Sequence, residues 1–454
     1  MKRMKKMKKL FPFALIACIS LTTLPLGGCS EENSENVLRV ASWDEYICEG
    51  GEDSYVGAEA LPLYEEFETW YEATYGKEIT VEYIPLQDNE TMYNKIKMGD
   101  SYDILCPSEY MCMKLAEEGY LQKLPSSFFD KTIENNYYAK NVSSYIDGVF
   151  KGEAMDLSDG SSLSEYVAGY MWGSTGFVFN PETVNRDDVK SWKVFLNEDY
   201  SRKITAKDNV RDSYFVGLGM YYEDLLLGEK AKYEAGTLSK TDYKHTLFTK
   251  MNDTTSMSSV QKLLEQMRGN LYGLETDEGK LDIITGRFDI SYQWSGDAVY
   301  TLDMGEDEEM RDEPLYLEYC IPESASNLWF DGWVLMKDSK NVDAATAFIN
   351  FLSMPENVVR NMYYIGYTSC IGGDEVFAYL EETYGADEEE TDTEEYDLSY
   401  FFGEGHTLTT YPDQIHRQLF AQYPDETTID RLVVMQYFDK ETNTLANRMW
   451  NNIK

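Results

Sequence analysis

With 454 residues, 43% of them hydrophobic and 14% aromatic, the chain has material for more than one packed core and is too apolar to be disordered. Its 81 Asp and Glu outnumber 40 Lys and Arg, a formal net charge of −41 that argues against nucleic acid as a partner and for small cations over anionic polymers. Three histidines, none in a metal-ligand spacing, leave a zinc site or a histidine-based triad without its parts.

The chain begins "MKRMKKMKKLFPFALIACISLTTLPLGGC", a basic start followed by an apolar stretch from Leu10 to Leu26. That stretch falls short of the ~20 residues a membrane span needs, and it reads as a secretory signal peptide over 1–28. Small residues immediately before Cys29 resemble the bacterial lipobox, in which the cysteine is lipid-modified and becomes the new N-terminus. An acyl chain adds ~0.8 kcal/mol per buried CH₂, so residues 29–36, with "SEENSEN", form a lipidated tether. The expected location is extracytoplasmic, either anchored to the outer face of the cell membrane or periplasmic. Removing the leader's six basic residues leaves 34 basic against 81 acidic residues, or −47. No later segment approaches ~18 uninterrupted apolar residues.

"VLRVASWDEYICEGG" opens the body with a strand, Val37 to Ala41, that ends in two aromatics bracketing two carboxylates: Trp43, Asp44, Glu45 and Tyr46. Strand ends in α/β sheets hold ligands, and aromatic faces beside carboxylates suit an organic cation. "ALPLYEEFETWYEATYG" places Leu61, Leu63, Phe67, Trp70 and Tyr71 at helical spacing, with Gly76 as the C-terminal cap. A strand, "KEITVEYIPL", follows. The next stretch repeats the scheme: a helix, a short strand at Tyr102 to Cys106, a turn at Pro107-Ser108 and another helix. Alternation with short connections predicts an α/β lobe with much parallel sheet.

A Gly and aromatic cluster, "YVAGYMWGSTGFVFN", precedes a strand expected at Thr175 to Asn180. Later come a buried strand ending at Trp294 with Gly296-Asp297 at the turn, then "NLWFDGWVLM" and a helix with Ala344, Ala345, Phe348, Ile349 and Phe351 mostly on one face. Residues 385–397, "GADEEETDTEEYD", read as a solvated acidic loop that lacks the spacing of a calcium-binding loop. Cys48, Cys106, Cys112, Cys320 and Cys370 are an odd set, match no zinc pattern and read mostly as buried thiols.

Several strand ends thus pair a flat ring or hydroxyl with an acid or a turn: Trp43 to Tyr46, Ser108 with Tyr110, Trp172, Asp208 with Asp212, Trp294 with Asp297, and Trp329 with Asp331. One such pair usually completes a core; their recurrence points to convergence on a site. "SWDEYI", "NETMYNKIK", "YDILCPSEYMCMKLAEEGYLQKL", "YMWGSTGFVFN", "QWSGDAV", "WFDGWVLMKDSKNVDAATAFINFL" and "IGYTS" together resemble, in order, the bacterial spermidine/putrescine-binding proteins, substrate receptors of ATP-driven polyamine importers. The similarity thins over 225–281 and in the acidic loop.

The resemblance implies a two-lobed, periplasmic-binding-protein-like α/β fold of type II, with mixed sheets flanked by helices and the ligand cleft between lobes. Its lobes are 37–168 plus 332–372 and 169–331 plus 373–454, with crossings near Tyr170, near Asp331 and shortly after Tyr367. It implies Glu45 as an amine-binding acid flanked by Trp43 and Tyr46, Ser108 and Tyr110 as cleft hydroxyl and ring, and Trp294 and Trp329 along the methylene chain; Trp172 is a further candidate ring from the strand-end series alone. Asp331 would hold a buried amine, Asp212 falls at an acid of spermidine-type members and Asp297 at one of putrescine-type members, while Tyr367 and Gln436 match further cleft positions. Asp44 and Asn209 depart from the pattern, at positions where relatives often carry a hydroxyl and an acid.

The expected function is capture of spermidine or putrescine by a monomeric, non-enzymatic lipoprotein that uses no cofactor or metal and delivers its ligand to an ABC permease and ATPase. A carbohydrate receptor of similar architecture and, from another class, a secreted glycoside hydrolase with two carboxylates remain the alternatives.

Overall fold

The computed structural model describes residues 36–275, 279–307, 311 and 313–454. The leader, Cys29 and nearly all of the tether lie outside the described residues.

Eleven strands carry the argument: β1 (Val37–Trp43), β2 (Thr80–Leu86), β3 (Ile104–Leu105), β4 (Leu121–Gln122), β5 (Val167–Phe179), β6 (Ile204–Lys207), β7 (Gly273–Glu275), β8 (Ile290–Trp294), β9 (Glu318–Cys320), β10 (Ser326–Met336) and β11 (Thr368–Ser369). Along the sheet they run β2-β1-β3-β10-β5-β8-β6-β7, with β4 on β10, and β9 and β11 on β5. β1 is parallel to β2 and β3 at one end, and β6 is parallel to β7 and β8 at the other. Between them β5 and β10 pair antiparallel along most of their length, and β11 lies antiparallel to β5 at Trp172 and Met171.

β5 and β10 are buried at every position, the continuous burial expected of strands covered on both faces. Strand β5 begins at Val167, eight residues before the start expected from sequence. The glycines that read as a cluster preceding the strand are part of it, because rings lie against their backbone. A Cβ on Gly173 would sit 2.3 Å from Ser295 Oγ and 2.6 Å from the Trp329 ring. Between Asp331 and Gly332 the β5–β10 register shifts, leaving Tyr170 as the extra residue of a bulge. Bulges re-aim side chains, and this one lies at the carboxylate on which the site turns.

The helix Leu63–Tyr75 ends as its sequence indicates, with Gly76 in the left-handed region at φ 66°. The helix Val210–Glu234 starts where Asn209 accepts from the Arg211 and Asp212 amides at 2.8 and 3.3 Å. One apolar cluster covers β1, β3 and the first half of β5. A second packs Phe177, Phe179, Trp192 and Phe215 beneath the β6–β8 end.

Residues 385–397 are not wholly loop. Glu394–Asp397 pairs antiparallel with Thr407–Thr410, and Tyr396 is buried there with its hydroxyl donating to the Tyr423 carbonyl at 2.7 Å. The buried tyrosine supplies the anchor that a charge count overlooks. The five described cysteines are free thiols, four of them buried and Cys320 half-buried.

Replacing Gly173 with Ala should destabilise the protein by about 1–3 kcal/mol, read as a lower urea midpoint, because the added methyl overlaps Trp329 and Ser295. An unchanged midpoint would show that these side chains retreat at no cost.

Candidate functional site

The end of β1, the turn after β3, the part of β10 opposite the β5 bulge and the turn after β8 face one another, and each contributes a carboxylate or a ring. Asp331, only 6% exposed, accepts from the Tyr46 hydroxyl at 2.7 Å and from Trp43 Nε1 at 3.2 Å. Ser108 also donates to it and pairs with it as an isolated bridge. These donors are all neutral. Burial therefore raises the Asp331 carboxyl above its usual range, and the three hydrogen bonds only partly oppose the rise.

Tyr367 links this carboxylate to a second one. Its ring stands edge-on to Tyr46 at 6.0 Å and tilts against Trp329 at 5.4 Å, while its hydroxyl donates to Asp297 Oδ1 at 2.9 Å. A Cβ on Gly296 would lie 1.8 Å from the Tyr367 ring, so the "WSGD" turn needs glycine for this close approach.

Asp297 is surrounded differently from Asp331. Lys207 Nζ donates to Oδ2 at 3.1 Å and Lys280 Nζ to Oδ1 at 3.3 Å, and the Lys207 ammonium lies 3.7 Å from the centroid of the Trp294 ring. Burial alone would raise the Asp297 carboxyl, but the two ammonium groups and the tyrosine hydroxyl outweigh it and hold the group below its usual range. Lys207 is itself buried. Beyond it Asp212 is buried, with Oδ2 lacking a hydrogen-bond partner among the described residues, and burial pushes its carboxyl up to about 6 against the opposing charges of Lys207 and Arg211.

Arg211 covers the Tyr110 ring at 3.9 Å and donates to the backbone carbonyl of Gln436 at 2.5 Å. The Gln436 side chain is exposed. Next to Tyr110, Glu109 is 2% exposed and burial pushes it up to about 8, with Arg211 pulling the other way.

Glu45 and Asp44 are exposed at the rim. Glu45 holds a left-handed backbone at φ 52°, an uncommon conformation for a residue with a side chain. Burial, Asp44 and Glu49 raise its carboxyl, and Lys280 opposes them. Trp172 is not part of this assembly: it is fully buried, stacked on Phe401 at 5.5 Å and tilted against Tyr145 at 5.5 Å, on the side of β5 that packs against the C-terminal segments. Strand alternation decides this, since the neighbouring Met171 and Gly173 stand opposite Asp331 and Trp329.

Sequence reading passed over Lys207, Lys280, Arg211 and Glu109. The first could have been found: Lys207 closes the buried strand "ITAK" two residues before a helix cap, the strand-end position where ligands are met. Among the described residues no cluster of three or more His, Cys, Asp or Glu is arranged to hold a metal ion. None of the described helices is long and apolar enough to cross a membrane.

Residues 63–373 match the model of a family described as bacterial extracellular solute-binding protein. The chain belongs to that family. Among its relatives, the spermidine/putrescine-binding periplasmic protein of Salmonella typhimurium is 23% identical over 347 residues, covering 76% of this chain and 80% of the relative. The putrescine-binding periplasmic protein of Pseudomonas aeruginosa is 23% identical over 337 residues, covering 73% and 77%. In three dimensions the chain is similar to the substrate-binding protein of a spermidine/putrescine ABC transporter from Streptococcus pneumoniae, solved with calcium and HEPES. There the TM-score is 0.59 and the identity 24%, with 92% of this chain and 98% of that one covered. A lipoprotein of Treponema pallidum aligns with a TM-score of 0.55 at 17% identity, covering 92% and 99%. The fold is thus the two-lobed, type II arrangement of solute-binding proteins, and β5 and β10 join the two ends of its sheet.

Glu109 takes up a proton on folding between its ordinary value of 4.5 and about 8, so the folded state binds more protons there than the unfolded chain, and stability falls as pH rises through that window. Glu109→Gln should therefore raise the melting temperature more at pH 9 than at pH 5, measured on ligand-free protein. An equal shift at both values would place the Glu109 carboxyl in its ordinary range.

Proposed function

We propose that the protein captures a polyamine, spermidine or putrescine, in the cleft and passes it to an ABC importer. The observation that carries this reading is Asp331, a buried carboxylate whose donors are a tyrosine, a tryptophan and a serine, with Trp329 and Tyr367 beside it. A carboxylate taken out of water without a counter-ion is costly, and a ligand ammonium removes that cost while its methylenes lie along the rings. Charge-assisted hydrogen bonds contribute roughly 1.5–3 kcal/mol each, and a cation over an aromatic face ~0.5–2. Glu45 and Asp44 at the rim add a field that attracts the same charge.

The names of the relatives point to the same ligand class. In this reading the lobes are 37–168 with 332–372 and 169–331 with 373–454. A ligand that touches both favours the closed arrangement by its differential affinity, and the importer recognises that arrangement. Cys29 carries the lipid that holds the receptor at the membrane, and the protein acts as a monomer without chemistry of its own.

Calorimetric titration of ligand-free protein with spermidine, putrescine and a disaccharide tests the reading: one polyamine binds at unit stoichiometry and the disaccharide gives no heat. Binding of the sugar alone would replace it with the carbohydrate receptor. Asp331→Asn should weaken the bound polyamine by about 10–100-fold, the loss of one charge-assisted bond. Substitutions among Glu388, Glu389 and Glu390 should change it less than twofold, and an Asp331→Asn protein that binds as tightly as wild type would remove Asp331 from the site.

A further inference from the structure

The cleft already holds a cation of its own. Lys207 Nζ lies 3.7 Å from the Trp294 ring centroid and 3.1 Å from Asp297 Oδ2, the two kinds of contact a ligand ammonium would make there. It is no surface lysine folded back, since its side chain is 3% exposed and that of Asp297 5%. The ammonium is held from below by strand β6, whose last residue it is, and Ser213 Oγ donates to the Lys207 carbonyl at 3.0 Å, fixing the backbone at the start of the following helix.

Charge balance separates the two ends of the slot. At the inner end Asp297 is met by Lys207 and Lys280, while the charges of Lys207 and Arg211 act on Asp212 and that of Arg211 on Glu109. An ammonium brought over Trp294 would meet Lys207 at close range. At the outer end Asp331 has neutral donors only, and Glu45 and Asp44 stand beside it.

Resting on the polyamine reading, we propose that Lys207 is a specificity-determining residue, a built-in substitute for one ligand ammonium at the Trp294–Asp297 end, so that the site takes a diamine in preference to a triamine. The slot then offers its unmatched carboxylates over a shorter span. A third ammonium reaching the Trp294–Asp297 end meets Lys207 there in place of an unmatched carboxylate, and it must also give up its hydration.

Replacing Lys207 with a neutral side chain returns the Trp294 ring and Asp297 Oδ2 to the ligand, while Lys280 and Tyr367 stay on Oδ1. The test is calorimetric titration of putrescine and spermidine into wild-type, Lys207→Met, Lys207→Gln and Lys207→Arg proteins, each stripped of ligand and checked for a cooperative unfolding transition. Wild type is expected to bind putrescine at least tenfold more tightly than spermidine. Lys207→Met and Lys207→Gln should each move that ratio at least tenfold toward spermidine, and Lys207→Arg, which keeps the charge, should leave the preference for putrescine in place.

Wild type that binds spermidine as tightly as putrescine overturns the proposal even if no variant folds. Neutral variants that lose both ligands in equal proportion also overturn it, because a lysine serving only as an internal ion pair gives that result. A folded wild type that binds neither polyamine defeats the polyamine reading itself, which is a different outcome from binding that ignores Lys207.

Discussion

A carboxylate buried among neutral donors is the constraint on which the rest of the site depends. Asp331 sits on β10 opposite a bulge in β5, on the pair of long strands shared by the two ends of the sheet. Three hydrogen bonds hold it in place without cancelling its charge. A protein assembled for stability alone would have a base there or an apolar residue, since an isolated buried charge is expensive. Because the strand bearing Asp331 also joins the two ends of the sheet, a ligand held there, as proposed, would act where their relative position is set.

The second carboxylate shows how the same chemistry is satisfied from within. Asp297 has two ammonium partners and a tyrosine hydroxyl, and its carboxyl is held low where that of Asp331 is raised. Tyr367 touches both regions, through its ring at Tyr46 and its hydroxyl at Asp297. The slot is thus graded, short of positive charge at one end and supplied with it at the other. In the proposed site such a gradient would give a flexible cation a direction as well as a place.

Much of this was legible in the sequence. Alternating elements gave the α/β class, and the motif order gave the two-lobed fold. "SWDEYI" and "WFDGW" pointed to Trp43, Tyr46 and Asp331, which the fold brings into direct contact. What could not be read was pairing across long stretches of chain. Strand alternation turns Trp172 into the packing around Phe401, and a single sequence does not say which face of an all-buried strand meets the ligand. Nor does it say which base finds which acid: Lys207 and Asp297 are 90 residues apart, and only the β6–β8 pairing sets them side by side. Tyr396, buried inside a run of acids, shows the same limit on the acidic segment.

The measurement that tests the central claim most directly is a crystal structure of the protein grown with putrescine. The account requires a ligand nitrogen within hydrogen-bond distance of an Asp331 carboxylate oxygen, with the methylenes against Trp329 and Tyr367. Density for the diamine anywhere else, with Asp331 still bound only to Tyr46, Trp43 and Ser108, would contradict it.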